Sequence, residues 1–316
     1  MTVTARDGGW GLVAVCFLIL AVGCRPAAPE LDVVERFSVS TSSVTLHVAG
    51  DGRLWLGEPG RLMILNGSAA PVETSVPVGS APQVVGEAAG KILARAEDRH
   101  LFLFDSSTGA LIATTELTGQ PFMEPRGRWA FIAGPSGEML VHETDSLTLI
   151  SAWGAIGVES TAISGSPEGD RIYQAVASDA GVIILTRDLQ TGRILRSSAM
   201  AAPITSLAAD RSGNLLAVLG EQGNTAILSL RPWGAEMQLR WRERVAIESV
   251  GTRIRISSDG NRVAILPPDD EKFGLRVLDA ETGGVIGSMA EKPLDAQFDT
   301  QGRLLLLYPG EIRILR

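Results

Sequence analysis

The stretch Gly90–Leu117, GKILARAEDRHLFLFDSSTGALIATTEL, decides how the chain is to be read. A glycine turn leads into a mostly apolar run, Lys91–Ala96. A charged break follows at Glu97-Asp98-Arg99-His100, then the short apolar run Leu101–Phe104. The turn Asp105-Ser106-Ser107-Thr108-Gly109 leads into a last run, Ala110–Leu117. Each run has strand length and each break carries turn chemistry. Three short strands cannot bury their faces alone, so the unit needs copies beside it.

The copies are present. A turn glycine precedes the second strand of each unit at Gly52, Gly90, Gly127, Gly169, Gly213, Gly260 and Gly302, at intervals of 38, 37, 42, 44, 47 and 42 residues. Glycine suits such a turn because it reaches positive φ without a Cβ clash. Four-strand periods of about 40 residues are the mark of propeller blades. A second mark lies between third and fourth strands: Asp105–Gly109 (DSSTG), Asp188–Gly192 (DLQTG) and Asp279–Gly283 (DAETG), with a degenerate copy at Glu143–Leu147. The aspartate side chain caps the turn and the glycine takes its strained position. The fifth unit has Arg231-Pro-Trp-Gly234 there and reads as carrying a longer insertion, 231–244.

On these residues the chain resembles the WD40, YVTN and quinoprotein-like β-propellers, over almost everything after residue 30. The tryptophan that quinoprotein-type repeats carry four places after the turn glycine is replaced by Ala113, Arg196 and Gly287. The resemblance therefore implies the fold rather than a cofactor, and no cofactor is assigned. The last unit has three strands, and a spare strand, Val33–Ser40, stands ahead of the first unit. If that strand pairs with Ile312–Leu315, a seven-bladed all-β propeller closes through its N-terminal strand without a dangling edge.

Composition agrees with one large β domain, 31–316. With 45% hydrophobic residues the core is ample, and 35 glycines serve a fold made of turns. A net charge of −8 speaks against nucleic acid, whose phosphates need clustered Lys and Arg. The only cysteines, Cys16 and Cys24, precede the repeats, so these have no disulfide or thiolate metal site.

Residues 1–23 read as an export signal. The apolar run Leu12–Val22 is too short to span a bilayer comfortably. It ends in Ala21-Val22-Gly23-Cys24, which resembles a bacterial lipobox with Cys24 lipidated after cleavage; ordinary signal cleavage or an uncut anchor are the alternatives. Residues 24–30 then form a short proline-containing tether. In that resemblance Arg25, not being Asp, implies outer-membrane or cell-surface sorting.

No nucleophile elbow, phosphate loop or metal-spaced histidine set appears. His47, His100 and His142 fall in different units, and His100 and His142 read as blade-edge or turn residues. The loops between second and third strands all hold a carboxylate: Glu58, Glu97 with Asp98, Glu138, Asp179, Glu221, Asp269 with Asp270, and Glu311. Gathered on one face they would be acidic and attract a basic partner or a cation; exposed loops are also simply polar. In the fifth unit Trp233, Trp241 and Arg240 are the residue types that anchor interfaces. Two readings stand: a membrane-tethered, non-catalytic platform binding a protein partner, or an enzyme or small-ligand binder of the lactone or sugar class using the acidic mouth, with metal assistance. In outline the first is similar to the eight-bladed propeller lipoprotein of the outer-membrane insertion machinery.

Overall fold

The structure is a computed structural model. It describes residues 29–65, 72–75, 81–97, 99–154, 157–166, 168–179, 181–200, 204–209, 215–221, 224–233, 236–245, 253–257, 259–267 and 274–315. Every element in them is a β-strand.

One strand, β1 (Val33–Ser38), precedes the repeats. The first repeat is β2 (Thr45–Val48), β3 (Leu54–Glu58), β4 (Arg61–Leu65) and β5 (Val72–Ser75). The second is β6 (Gln83–Ala88), β7 (Lys91–Arg95), β8 (His100–Asp105) and β9 (Leu111–Glu116). The third is β10 (Gln120–Met123), β11 (Trp129–Ala133), β12 (Met139–Glu143) and β13 (Leu149–Trp153). The fourth is β14 (Ser160–Gly165), β15 (Arg171–Ser178), β16 (Gly181–Asp188) and β17 (Ile194–Met200). The fifth is β18 (Ile204–Ala209), β19 (Leu215–Glu221), β20 (Asn224–Trp233) and β21 (Glu236–Val245). The sixth is β22 (Arg253–Ile256), β23 (Arg262–Leu266), β24 (Arg276–Asp279) and β25 (Val285–Ser288). Last come β26 (Asp295–Phe298), β27 (Leu304–Tyr308) and β28 (Glu311–Leu315).

These strands form four-stranded antiparallel sheets, each packed on the next through its first strand, with β26 beside β2. The expectation of a seven-bladed propeller closed by the N-terminal strand needs correction. Six sheets are blades built from one continuous stretch each. The remaining sheet is composite, β1-β28-β27-β26, with β1 on its outer edge. Nor does β1 close the ring. It lies at the rim with all but Val33 exposed, while first and last sheets meet at their inner strands, where the Leu46 N–H donates to Asp295 Oδ2 at 3.0 Å. Sheets converge only toward the axis, so an outer strand covers an edge without joining neighbours.

The chain ahead of β1 is also docked, from the last residues of what the sequence reads as tether onward. Leu31 N–H donates to the Ser288 carbonyl (3.2 Å) and Ser288 N–H to the Pro29 carbonyl (3.0 Å). Leu31 packs against Gly287, where a Cβ would meet its side chain. The missing tryptophan at 287 thus leaves the hollow that Leu31 fills. Gly287→Val is expected to expel Leu31 and cost about 1–3 kcal/mol of stability by overpacking, read as a lower denaturation midpoint.

The repeat glycines do what their positions require. Gly52, Gly90, Gly127, Gly169, Gly260 and Gly302 have φ between +67° and +87°; Gly213 lies outside the described residues. Blades bury both faces, so a middle strand such as β8 is an unbroken apolar run rather than an alternating one. In β8, Leu101 and Leu103 pack toward the third blade, and Phe102 and Phe104 toward the first; all four are fully buried.

The DxxTG turns close β8–β9, β16–β17 and β24–β25. Asp105 Oδ1 accepts hydrogen bonds from Ser107 Oγ (2.6 Å), Thr108 N (2.8 Å) and Thr108 Oγ1 (2.8 Å). Asp188 and Asp279 repeat this with Thr191 and Thr282. The Ser107 hydroxyl first, then Thr108, hold the Asp105 carboxyl down at about 2. Asp188 and Asp279 are lowered mainly by their threonine hydroxyls. A depressed folded pKa stabilises above the unfolded value of about 4 and loses that contribution as pH falls. Stability is therefore expected to decline between about pH 4 and pH 2. Replacing all three aspartates with asparagine should flatten acid titrations followed by circular dichroism over that window.

Directly after these turns the outer strand bulges. Ile112, Ile150, Leu195, Arg240 and Ile286 are each skipped in the pairing with the third strand, in blades two to six. The insertion expected in the fifth unit is instead a longer hairpin. The strands β20 and β21 have ten residues each and pair out to Trp233 opposite Glu236, with Pro232 opposite Met237.

Candidate functional site

All inner strands begin at the same end of the channel, because each is the first strand of a like-oriented sheet. The loops between second and third strands open on that end too. The candidate acidic residues among those described stand in these loops, but they do not act alike. Glu58 is buried and accepts from Ser43 Oγ (2.8 Å), Ser42 Oγ (3.1 Å) and Arg61 Nε (2.7 Å). Burial opposes its ionisation, yet the bonds from Ser43, Arg61 and Ser42 prevail and lower its pKa. Glu311 is paired with Arg313 (2.6 Å) and Arg36 (3.6 Å). Glu138 turns back onto its own loop, accepting from Ser136 N at 2.9 Å. Glu97 and Asp179 are exposed. Glu221 ends β19 opposite Asn224. Asp98, Asp269 and Asp270 lie outside the described residues, as does Cys24.

Three arginines also stand at this end of the channel. Arg95 ends β7 opposite Gln83, the first residue of β6. Its Nε and Nη2 donate to Gln83 Oε1 (3.1 and 2.9 Å), and its Nη1 to Gln120 Oε1 (3.3 Å), at the start of β10 in the next blade. Arg253 and Arg255 lie two apart on β22, hence on one face of that strand. Both pair with Asp295 Oδ1, at 3.1 and 3.3 Å. Asp295 is 1% exposed and also accepts the N–H groups of Leu46 and Ala296. Blade two faces blade six across the ring. Burial first, then the charges of Arg255 and Arg253, push the Arg95 pKa down, with Glu97 opposing.

This cluster went unread in the sequence. The available signals were faint: Arg-x-Arg opening an inner strand and a polar residue opening its neighbours.

The interface candidates of the fifth blade are placed by backbone alone. Trp233 ends β20, Trp241 pairs with Ser229, and Arg240 is the bulged residue. At the equivalent bulges Ile112, Ile150, Leu195 and Ile286 are 42%, 51%, 40% and 42% exposed. Leu111, Leu149 and Ile194 beside the first three are also exposed, so blades two to four carry apolar pairs along one rim.

The histidines do not gather. His47 Nε2 lies 3.5 Å from Glu87 Oε2, and His100 is exposed at the start of β8. His142, read as an edge residue, is buried, its Nδ1 at 2.9 Å from the Leu147 carbonyl, because its register directs it under the following turn. Among the described residues no group of three or more His, Cys, Asp or Glu could hold a metal ion. No helix among them is long and apolar enough to cross a membrane.

The ring of radial antiparallel sheets defines the chain's class by fold: a β-propeller. A solved structure with this fold is the β-propeller domain of Cps50 (Swd1) from Myceliophteria thermophila. It superposes with a TM-score of 0.70 at 13% identity, over 91% of this chain and 99% of that one. No protein-family model and no curated protein matches the sequence.

Proposed function

We propose that the protein is an exported, lipid-anchored β-propeller that serves as a binding platform for a protein partner at the cell envelope. The rim carries this reading. Apolar pairs Leu111-Ile112, Leu149-Ile150 and Ile194-Leu195 recur at equivalent positions on the outer strands of successive blades, and exposed apolar side chains repeated in this way support a contact surface. The bulge aims both members of each pair outward. The anchor is supported by the run Leu12–Val22 and Ala21-Val22-Gly23-Cys24, and Arg25 favours the outer membrane or cell surface. The signal segment 1–23, the anchor and the membrane address belong to this proposal.

Cross-linking in cells followed by gentle solubilisation tests it, with Cys24→Ser as the untethered control. A protein partner should be captured by the parent chain. Leu149→Ser with Ile150→Ser, both on the exposed rim, should reduce capture at least tenfold while the melting temperature holds. Equal capture by the rim variant would remove the proposed surface. Partitioning of Cys24→Ser with membranes would remove the anchor.

A further inference from the structure

The arginines at the channel mouth play no part in rim docking. We propose that Arg95, Arg253 and Arg255 form a binding site for a small polyvalent oxyanion, a di- or tricarboxylate or a phosphorylated compound, entering the channel from the end where the inner strands begin.

Three observations support it. First, Arg95 is held in place by neutral partners. Gln83 and Gln120 fix its guanidinium without neutralising its charge, and among the described residues no carboxylate makes an ion pair with it. A surface arginine that simply sought an acid would not be built this way. Glutamine oxygens orient a guanidinium fork while leaving its charge available to a ligand.

Second, the carboxylate that does enter the cluster is already engaged. Asp295 Oδ1 takes Arg253, Arg255 and its neighbour's N–H, and Oδ2 takes the N–H of Leu46. It anchors two arginines to the last sheet, one negative charge set against two positive ones.

Third, the ring brings cations from opposite blades into one channel. Arg253 and Arg255 also donate to the carbonyls of Leu294 (2.8 Å) and Ala296 (3.2 Å), so neither can swing away at no cost. Cations held together by a rigid frame are preorganised for an anion bearing more than one charge. Guanidinium forks suit the planar carboxylate and the phosphate alike. The site lies on the axis and the apolar pairs on the rim, so failure of either proposal leaves the other standing.

The test is titration calorimetry on the detergent-solubilised full chain, with citrate and with inorganic phosphate as probes, against sodium chloride at equal ionic strength. Saturable binding of citrate or phosphate, absent with chloride, is expected; whichever binds tighter assigns the carboxylate or the phosphate class. Arg95→Gln and Arg255→Gln should each weaken binding at least tenfold, and Arg95→Lys should fall between. Circular dichroism melts certify that each variant is folded. If Arg95→Gln does not fold, Arg255→Gln alone carries the comparison. Absence of saturable binding by either probe overturns the proposal, and so does unchanged affinity in the folded variants.

Discussion

Phe102→Ala is expected to lower stability by about 3–5 kcal/mol, a large part of the ~5–15 kcal/mol that holds most domains folded. Phe102 is fully buried in the seam between the first two blades, against Trp55, Leu62, Ile64, Ile92 and Phe104. Its ring centroid lies 6.1 Å from that of Phe104. Removing the ring loses its transfer free energy and leaves a cavity that two rigid sheets cannot collapse into. Phe102→Leu, which keeps most of the volume, should cost well under half as much. Urea titrations would show this as a lower midpoint with an unchanged slope. A loss below about 1 kcal/mol would mean that the seam relaxes, contrary to the packing described.

Asp295→Ala should cost about 2–4 kcal/mol. Removing one partner of a fully buried ion pair costs about 3–5 kcal/mol, and the lower range applies because Arg253 and Arg255 are 33% and 23% exposed. The N–H groups of Leu46 and Ala296 lose their acceptor as well. Leu46 belongs to the first blade, so the loss weakens the junction of first and last sheets. Asp295→Asn keeps an acceptor oxygen and should fall roughly midway. Denaturant midpoints for the two variants decide the matter; equal and negligible losses would show that the junction does not depend on this carboxylate.

The fold was legible where one residue type has one use. The turn glycines and DxxTG loops state their backbone geometry directly, and Leu101–Phe104 reads as a strand buried on both faces. Placement was harder where meaning depends on which strands meet. Glu58 and Glu97 look equivalent in their loops, yet one is buried against Arg61 and the other is exposed. The stretch from Arg231 suggested an insertion because it stands where other units have the tight DxxTG turn; Pro232 instead lies within the paired strand, opposite Met237. Arg95 and Arg253 are far apart in sequence and come to one end of the channel only because sheets two and six both line it. No local pattern encodes that placement. Leu31 could be placed only once Gly287 was seen to leave room for it.

The recurrent bulge has a bearing on solubility. Every sheet of a propeller presents an outer strand with unpaired N–H and C=O groups, and a flat edge of that kind invites another chain to add itself. Here blades two to six each distort that strand by one residue just after its opening turn. A bulged edge twists away from the straight register an incoming strand would require. The same local deformation that turns apolar side chains outward thus denies the backbone behind them as a template. Contact at this rim is steered toward side-chain recognition and away from sheet-to-sheet stacking into fibres.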